Sequence, residues 1–403
     1  MTTIETRDAI QDIWGPRKGY YEHWPPRVDY RYSEEPDKWV QSACVMCSNG
    51  CGLDIGVKDG KIVGVRGREV DRVNKGRLGP KGMYSWLANS SKDRLTRPLV
   101  RKDGKLTPAS WDEAMDLIVK KTKESSEALS NHSIGFYTTG QLFLEEYYTL
   151  AIIGKAGLNT LHMDGNTRLC TATAATAMRE SFGSDGQPGS YTDIDVTDCI
   201  FMVGHNMSST QTVLWSRILD RLAGPKPPTL IVVDPRLSDS AKAAKYHIAP
   251  KIGTNLAVLN GLQRLLMPYV DHEYVEKHTV GFEQLKKTVE RYTPEWVEEI
   301  SGVPASLLRK VAEAIGKSKG LLSTALQGVY QSNQGTASAC QINNINLILG
   351  RIGRPGCGIF QMNGQPTAQN NRETGCDGEF PAFRNNSNKQ VALIKCYGAN
   401  KSI

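Results

Sequence analysis

Three short, almost wholly apolar runs recur along the chain: SIGFYT (133–138), DCIFMVG (198–204) and PTLIVVDP (228–235). Each gives way to glycine or polar residues. Between them lie FLEEYYTLAIIGKAG, TRLCTATAATAMRESFG and TQTVLWSRILDRLAG, with apolar residues at helical spacing. Such alternation predicts an α/β fold around a mostly parallel sheet. Further on, FEQLKKTVERYTPEWVEEISGVPASLLRKVAEAIGKSKG reads as mainly helical. Residues 353–390, rich in Gly, Asn, Gln and Pro, read as loop.

Upstream of this region stands SACVMCSNGCGL (42–53), where Cys44, Cys47 and Cys51 form a C-x2-C-x3-C run. Directly after it, LDIGVKDGKIVGVRG has an Asp-Gly turn between two strand-like runs and predicts a β hairpin. TPASWDEAMDLIVKKTKES (107–125) predicts a helix capped by Ser110, with Glu113 placed as in a capping box. The cysteine run fits half of a zinc site, but no second C-x2-C or H-x3-H follows. Three close thiols with a hairpin behind them fit an iron–sulfur cluster better.

In open α/β sheets, ligands bind beyond the carboxyl ends of the strands. VGHNMSS (203–209) offers Gly204 for close backbone approach and Asn206 as donor and acceptor. VVDPRLSDSA (232–241) offers Asp234, Pro235 and Arg236. PKIGTN (250–255) puts Gly253 and Thr254 before a helix. Each alone is as consistent with an ordinary turn; their recurrence favours a nucleotide-like cofactor. Cys170, in MDGNTRLCTATAATAM, has two readings. One is a small buried hydrophobe. The other is a thiolate near a helix start and Arg168, a nucleophile or soft metal ligand. Cys199, Cys340, Cys357, Cys376 and Cys396 have no partner at ligand spacing and read as structural.

The chain has 403 residues, 39% hydrophobic and 23% charged, enough for a substantial core. No run approaches the about 18 apolar residues of a membrane span. The +7 net charge is spread, without a Lys/Arg block of the nucleic-acid kind; it suits an anionic substrate or an acidic protein partner. Residues 1–40 are polar, aromatic and Pro-bearing, an irregular arm draped over the body, with no export signal. Nine cysteines without such a signal predict cytoplasmic thiols rather than a disulfide framework.

Taken in order, the cysteine run, GRLGPKG (76–82), NTRLCTATAATAM, VGHNM, VVDPR, IGTN, QGVYQSNQGT (327–336) and GRPGCGIFQMNGQPTAQNNRETG (353–375) resemble the molybdopterin oxidoreductase family. Within it they are most similar to assimilatory nitrate reductases. The resemblance covers about residues 40–385. It implies an iron–sulfur domain (41–98) with Cys44, Cys47 and Cys51 on the cluster. It implies an α/β region (99–385) with Cys170 as the thiolate on molybdenum. Lys81 matches a lysine between cluster and pterin. Gly204, Asn206, Asp234, Pro235, Arg236, Gly253, Thr254, Gly328, Gly364 and Gln365 sit in motifs lining two molybdopterin guanine dinucleotides. The implied reaction is oxygen-atom transfer from nitrate, with electrons from a ferredoxin, a flavodoxin or a reductase subunit.

Two departures accompany the likeness. The family's fourth cluster cysteine falls at Gly79, which leaves three outcomes: a three-iron form, a four-iron form with water, a distant side chain or a small thiol on the fourth iron, or no cluster; the intact three-cysteine run and Lys81 favour a retained cluster. The likeness also fades into a divergent tail (386–403), where the family continues into a β-rich domain, so the chain is expected to be a fragment, the product of a truncated gene or one piece of a split protein. Formate dehydrogenase or another oxyanion reductase is the enzymatic rival; in formate dehydrogenases histidine usually follows the metal-ligating residue, and here Thr171 follows Cys170. A non-catalytic electron-transfer subunit or an inactive fragment is the rival of another class.

Overall fold

A computed structural model describes residues 19–376. The amino-terminal part is a four-stranded antiparallel sheet of β1 (Tyr30–Tyr32), β2 (Lys38–Ala43), β3 (Gly52–Lys58) and β4 (Lys61–Gly67), ordered β1-β4-β3-β2. The predicted hairpin is β3–β4, turned through Asp59 and Gly60, both at positive φ. That conformation suits a tight two-residue turn. Ala43 pairs with Gly52, so the three cysteines lie in the loop joining β2 to β3.

Two small pairs follow: the hairpin β5 (Leu99–Lys102) with β6 (Lys105–Pro108), and the parallel pair β7 (Phe136–Thr138) with β8 (Met163–Gly165). The helix Trp111–Leu129 lies between them. Ser110 caps it by accepting from the Glu113 amide at 3.1 Å, whereas the Glu113 carboxylate pairs with Lys102 across to β6's hairpin.

The main body is a five-stranded parallel sheet: β9 (Cys199–Val203), β10 (Thr229–Val233), β11 (Tyr246–Ile248), β12 (Leu322–Ala325) and β13 (Gly358–Gln361). Its order is β11-β10-β9-β12-β13. The chain starts at the centre, winds outward to β11, then returns to the other side of β9. The reversal lies between β9 and β12, the position where doubly wound sheets open a ligand crevice. The central strands are buried throughout because helices cover both faces, which is why CIFMV and LIVV show no polar alternation. Helices Ala172–Phe182, Asn255–Leu266, Ala305–Lys317 and Gly335–Ile348 pack around this core.

The region expected to be loop contains β13 and the helix Ala368–Glu373. GIFQ becomes a strand because β12 offers a parallel partner in register, Leu322 opposite Gly358. Four residues between glycines carry too little local pattern to announce it. The divergent tail assigned to 386–403 lies outside the described residues.

The described part of the arm is fixed to the body. Trp24 is fully buried and donates its indole N–H to Asp220 at 3.0 Å. The Tyr20 hydroxyl donates to Asp195 at 2.7 Å, and buried Arg217 grips the same carboxylate through two nitrogens, at 2.8 and 2.5 Å. Among the described residues no helix is long and apolar enough to cross a membrane.

Candidate functional site

The β2–β3 connection holds its thiols through backbone and amide contacts. The Cys44 amide donates to the Cys51 carbonyl at 2.9 Å and closes the loop. Gly50 turns it at φ +76. Asn49, fully buried, donates to Cys51 Sγ at 3.2 Å and accepts from the Leu214 amide at 3.0 Å. The loop is thereby tied to the start of the helix Thr212–Leu222.

Cys51 is buried, while Cys44 and Cys47 are half-buried. Burial, then the neighbouring thiols Cys47 and Cys44, push the Cys51 thiol well up; burial and Cys47 also raise Cys44, and Lys81 works against this. The three sulfurs therefore sit within electrostatic reach of one another, and Lys81 within reach of Cys44. A cavity of about 550 Å³ opens over Cys44 and Cys51, walled by Arg68, Arg72, Phe143 and Thr367. Among the described residues no three His, Cys, Asp or Glu side chains converge tightly enough for a single metal ion. Three spaced thiols around a loop fit a multi-iron cluster, held by bridging sulfides, better than one tetrahedral zinc.

The second group of residues collects at the sheet's reversal point. Gly204 follows β9 at φ +56, and its carbonyl accepts from the Gly328 amide at 3.0 Å. A Cβ on Gly204 would lie 2.7 Å from the Gly328 carbonyl carbon, and one on Gly328 would lie 2.6 Å from Gly204 Cα. Only glycines let the two strand ends touch and leave their backbone bare. Asn255, beside Thr254, donates to the Gly328 carbonyl at 3.2 Å. Asn206 accepts from Ser208 and Ser240 at 2.7 and 3.0 Å, joining the loops after β9 and β10. Asp234 is buried, with its carboxylate accepting from the Arg236 amide at 2.8 Å. Pro235, Arg236 and Gly253 stand exposed on the loops after β10 and β11.

Cys170 ends a short 3-10 turn, Asn166–Leu169, just before the helix Ala172–Phe182. It is half-buried, and its sulfur accepts from Gln327 Nε2 at 3.0 Å. Thr173 donates to the Tyr330 carbonyl at 3.0 Å, fixing this turn to the segment after β12. Arg168 is paired with Asp164, to which its Nε donates at 3.2 Å. Gly364 lies beside Gln327, where a Cβ would come 3.2 Å from Nε2. Gln365 donates to Thr139 at 3.2 Å, while its Oε1 is buried and has no protein donor. A buried acceptor left this way has room for a donor from a bound group or an ordered water.

The two groups meet. The Ser48 amide donates to the Gly364 carbonyl at 3.1 Å, and Gln141 Nε2 donates to the Val45 carbonyl at 3.0 Å. Gln211 Nε2 donates to Ser48 Oγ and to the Asn363 carbonyl, both at 3.0 Å. Gln211 Oε1 faces His205 Nε2 at 2.8 Å, and His205 Nδ1 faces Thr324 Oγ1 at 2.9 Å. Because Gln211 uses its NH2 on Ser48 and Asn363, its Oε1 accepts the His205 Nε2–H. Sequence reasoning missed Ser48, Asn49, His205, Gln211 and Gln327. All five flank residues it singled out, but their partners are 119 or more residues away or depend on the loop's fold.

Burial holds His205 neutral and lowers it to about 4, against a bond to Gln211 that raises it. Its unfolded value is near 6.5. Between these values the unfolded chain binds the extra proton, so stability is full above about pH 6.5 and falls as pH drops towards 4. A His205→Gln variant is expected to lack roughly 3 kcal/mol of that acid-side loss. Urea unfolding of both chains from pH 7 to 4 checks it; parallel pH profiles would contradict it.

The chain resembles known proteins in sequence and in fold. Residues 94–401 match the molybdopterin oxidoreductase model, and 37–88 match the molybdopterin oxidoreductase Fe4S4 domain. The chain is 38% identical to a periplasmic nitrate reductase of Desulfovibrio desulfuricans, over 83% of this chain and 46% of that one. It is 33% identical to an F420-dependent formate dehydrogenase alpha subunit of Methanococcus maripaludis, over 84% and 49%. The solved acetylene hydratase from Pelobacter acetylenicus superposes with TM-score 0.69 at 25% identity, covering 80% of this chain and 44% of that one. The chain thus spans about half the length of the relatives it matches. The two matched domains indicate a molybdopterin cofactor and an iron–sulfur cluster, and the bare glycines, the Cys170 thiol, the orphaned Gln365 oxygen and the three-thiol loop fit both. The chain belongs to the molybdopterin oxidoreductase family, with that family's Fe4S4 domain at its amino-terminal end.

Proposed function

We propose that this chain is the cluster-and-pterin part of a molybdenum enzyme that reduces nitrate to nitrite. The observation that carries the reading is the Cys170 thiol beside Gln327 and Gly364, on a segment that also touches the Ser48 amide of the thiol loop. Cys44, Cys47 and Cys51 would hold the cluster, and Cys170 the molybdenum. Gly204, Asn206, Asp234, Pro235, Arg236, Gly253, Thr254, Gly328, Gly364 and Gln365 would line the pterin nucleotides. When bound, these groups supply oxygen-atom transfer and one-electron delivery.

The chain's own part is to orient and to exclude. The Gln327 amide donates to the Cys170 sulfur and fixes its direction. Neutral His205 locks Gln211, which in turn holds Ser48 against Asn363. Lys81 places a positive charge near Cys44, on the helix that closes the thiol loop. Relatives named as nitrate reductases support the substrate. A formate dehydrogenase relative supports a second reading, which Thr171 after Cys170 disfavours.

The spread +7 charge suits an acidic ferredoxin or flavodoxin donor. Free thiols throughout the described residues suit the reducing cytoplasm. Turnover tests the assignment. The chain, purified anaerobically from cells that make the cofactor, is expected to oxidise reduced viologen with nitrate and to form nitrite. Formate-dependent viologen reduction without nitrite formation would replace nitrate by formate.

A further inference from the structure

Four-iron clusters are ordinarily held by four cysteines. The thiol loop supplies three, and the other described cysteines are committed elsewhere. Cys170 meets Gln327, Cys199 lies in the central strand, and Cys340 faces the Ala177 carbonyl. Cys357 faces the Lys319 carbonyl, and Cys376 is buried in the apolar cluster around Tyr147.

The helix Pro80–Tyr84 closes on the loop from the opposite side. A Cβ on Gly82 would come 3.3 Å from Cys44 Sγ. Gly79 lies three residues earlier, on the same face. It caps this helix at φ −74 and ψ 167, a conformation open to any residue. The nearest neighbours of a Cβ built on Gly79 would be Thr212 Cβ at 3.4 Å, Thr212 Oγ1 at 3.7 Å and Val213 Cγ2 at 3.9 Å, all ordinary contacts. A Cβ therefore fits at Gly79 without a clash. The neighbouring Leu214 amide reaches Asn49, which in turn reaches Cys51 Sγ, so this position adjoins the thiol loop.

We propose that a cluster held by Cys44, Cys47 and Cys51 would have one iron without a cysteine, because position 79, on the helix that brings Gly82 to Cys44, carries no side chain, and that this iron would be left to water or hydroxide. The proposal rests on the cluster reading above. That iron is exchangeable. Oxidation by ferricyanide, which takes one electron and becomes ferrocyanide, converts [4Fe–4S]2+ to [3Fe–4S]+ and releases Fe2+. Added Fe2+ and one electron from dithionite reverse the change. Electron supply to the crevice then depends on oxidant and on free Fe2+.

The test compares the wild-type chain, Gly79→Cys and Cys396→Ser, the last because Cys396 lies outside the described residues. Each is purified anaerobically, treated with one equivalent of ferricyanide, and followed by iron content and low-temperature electron paramagnetic resonance. The wild-type chain is expected to fall from about four irons to about three, to show the three-iron signal, and to recover with Fe2+. Gly79→Cys is expected to keep all its iron, and Cys396→Ser to behave as wild type. A wild-type cluster that keeps its iron and shows no three-iron signal overturns the proposal alone. So does a stable wild-type cluster that becomes labile only in Cys396→Ser. Absence of iron from all three chains overturns the cluster reading, and the proposal with it.

Discussion

Cys170→Ala is expected to abolish nitrate turnover and molybdenum retention while leaving iron content and the stability of the molybdenum-free chain unchanged. The side chain is half-buried and belongs to none of the described hydrophobic clusters. The turn that bears it is fixed by other bonds, from Thr173 to Tyr330 and from the Cys170 amide to Thr167. Removing the sulfur therefore removes chemistry rather than structure. Gln327→Met is the graded control. It keeps volume but loses the amide on the sulfur, and should cost about 10–100-fold, as groups that orient a metal ligand do. Metal analysis, turnover and melting of both variants check this. Unchanged turnover and molybdenum in Cys170→Ala would remove the catalytic assignment.

The second large effect concerns the arm. Asp195→Ala strips the carboxylate from Arg217, which is fully buried. A guanidinium left buried without its partner costs about 3–5 kcal/mol. Tyr20 loses its acceptor too, so the arm segment ahead of Trp24 should become a site of proteolysis. Asp195→Asn keeps one acceptor oxygen and should lose less. Urea unfolding and limited trypsin digestion measure both effects. A loss below about 1 kcal/mol would show that Arg217 finds another partner or water.

What could be read from the sequence was local. The Asp59–Gly60 turn, the Ser110 cap and the apolar runs of β9 and β10 each follow from neighbours within a few residues. So did the position of Cys170 two residues before its helix. The order of motifs carried the family. What was not legible depended on distant partners. β12 and β13 are short and become strands by pairing with β9 and with each other. The arm's Trp24 is no more than an aromatic residue until Asp220 receives its N–H. Gln327 stood inside a quoted motif, yet its meaning comes from a sulfur 157 residues away. Glu113 matched a capping pattern and instead pairs with Lys102.

The most direct measurement is iron, molybdenum and zinc per chain, by elemental mass spectrometry on anaerobically purified protein. The account predicts about three to four irons and close to one molybdenum per chain, without zinc. Iron without molybdenum would contradict the crevice as a pterin site. Zinc in place of iron, or no metal at all, would contradict the central claim that the three-thiol loop and the Cys170 crevice form one electron-transfer unit.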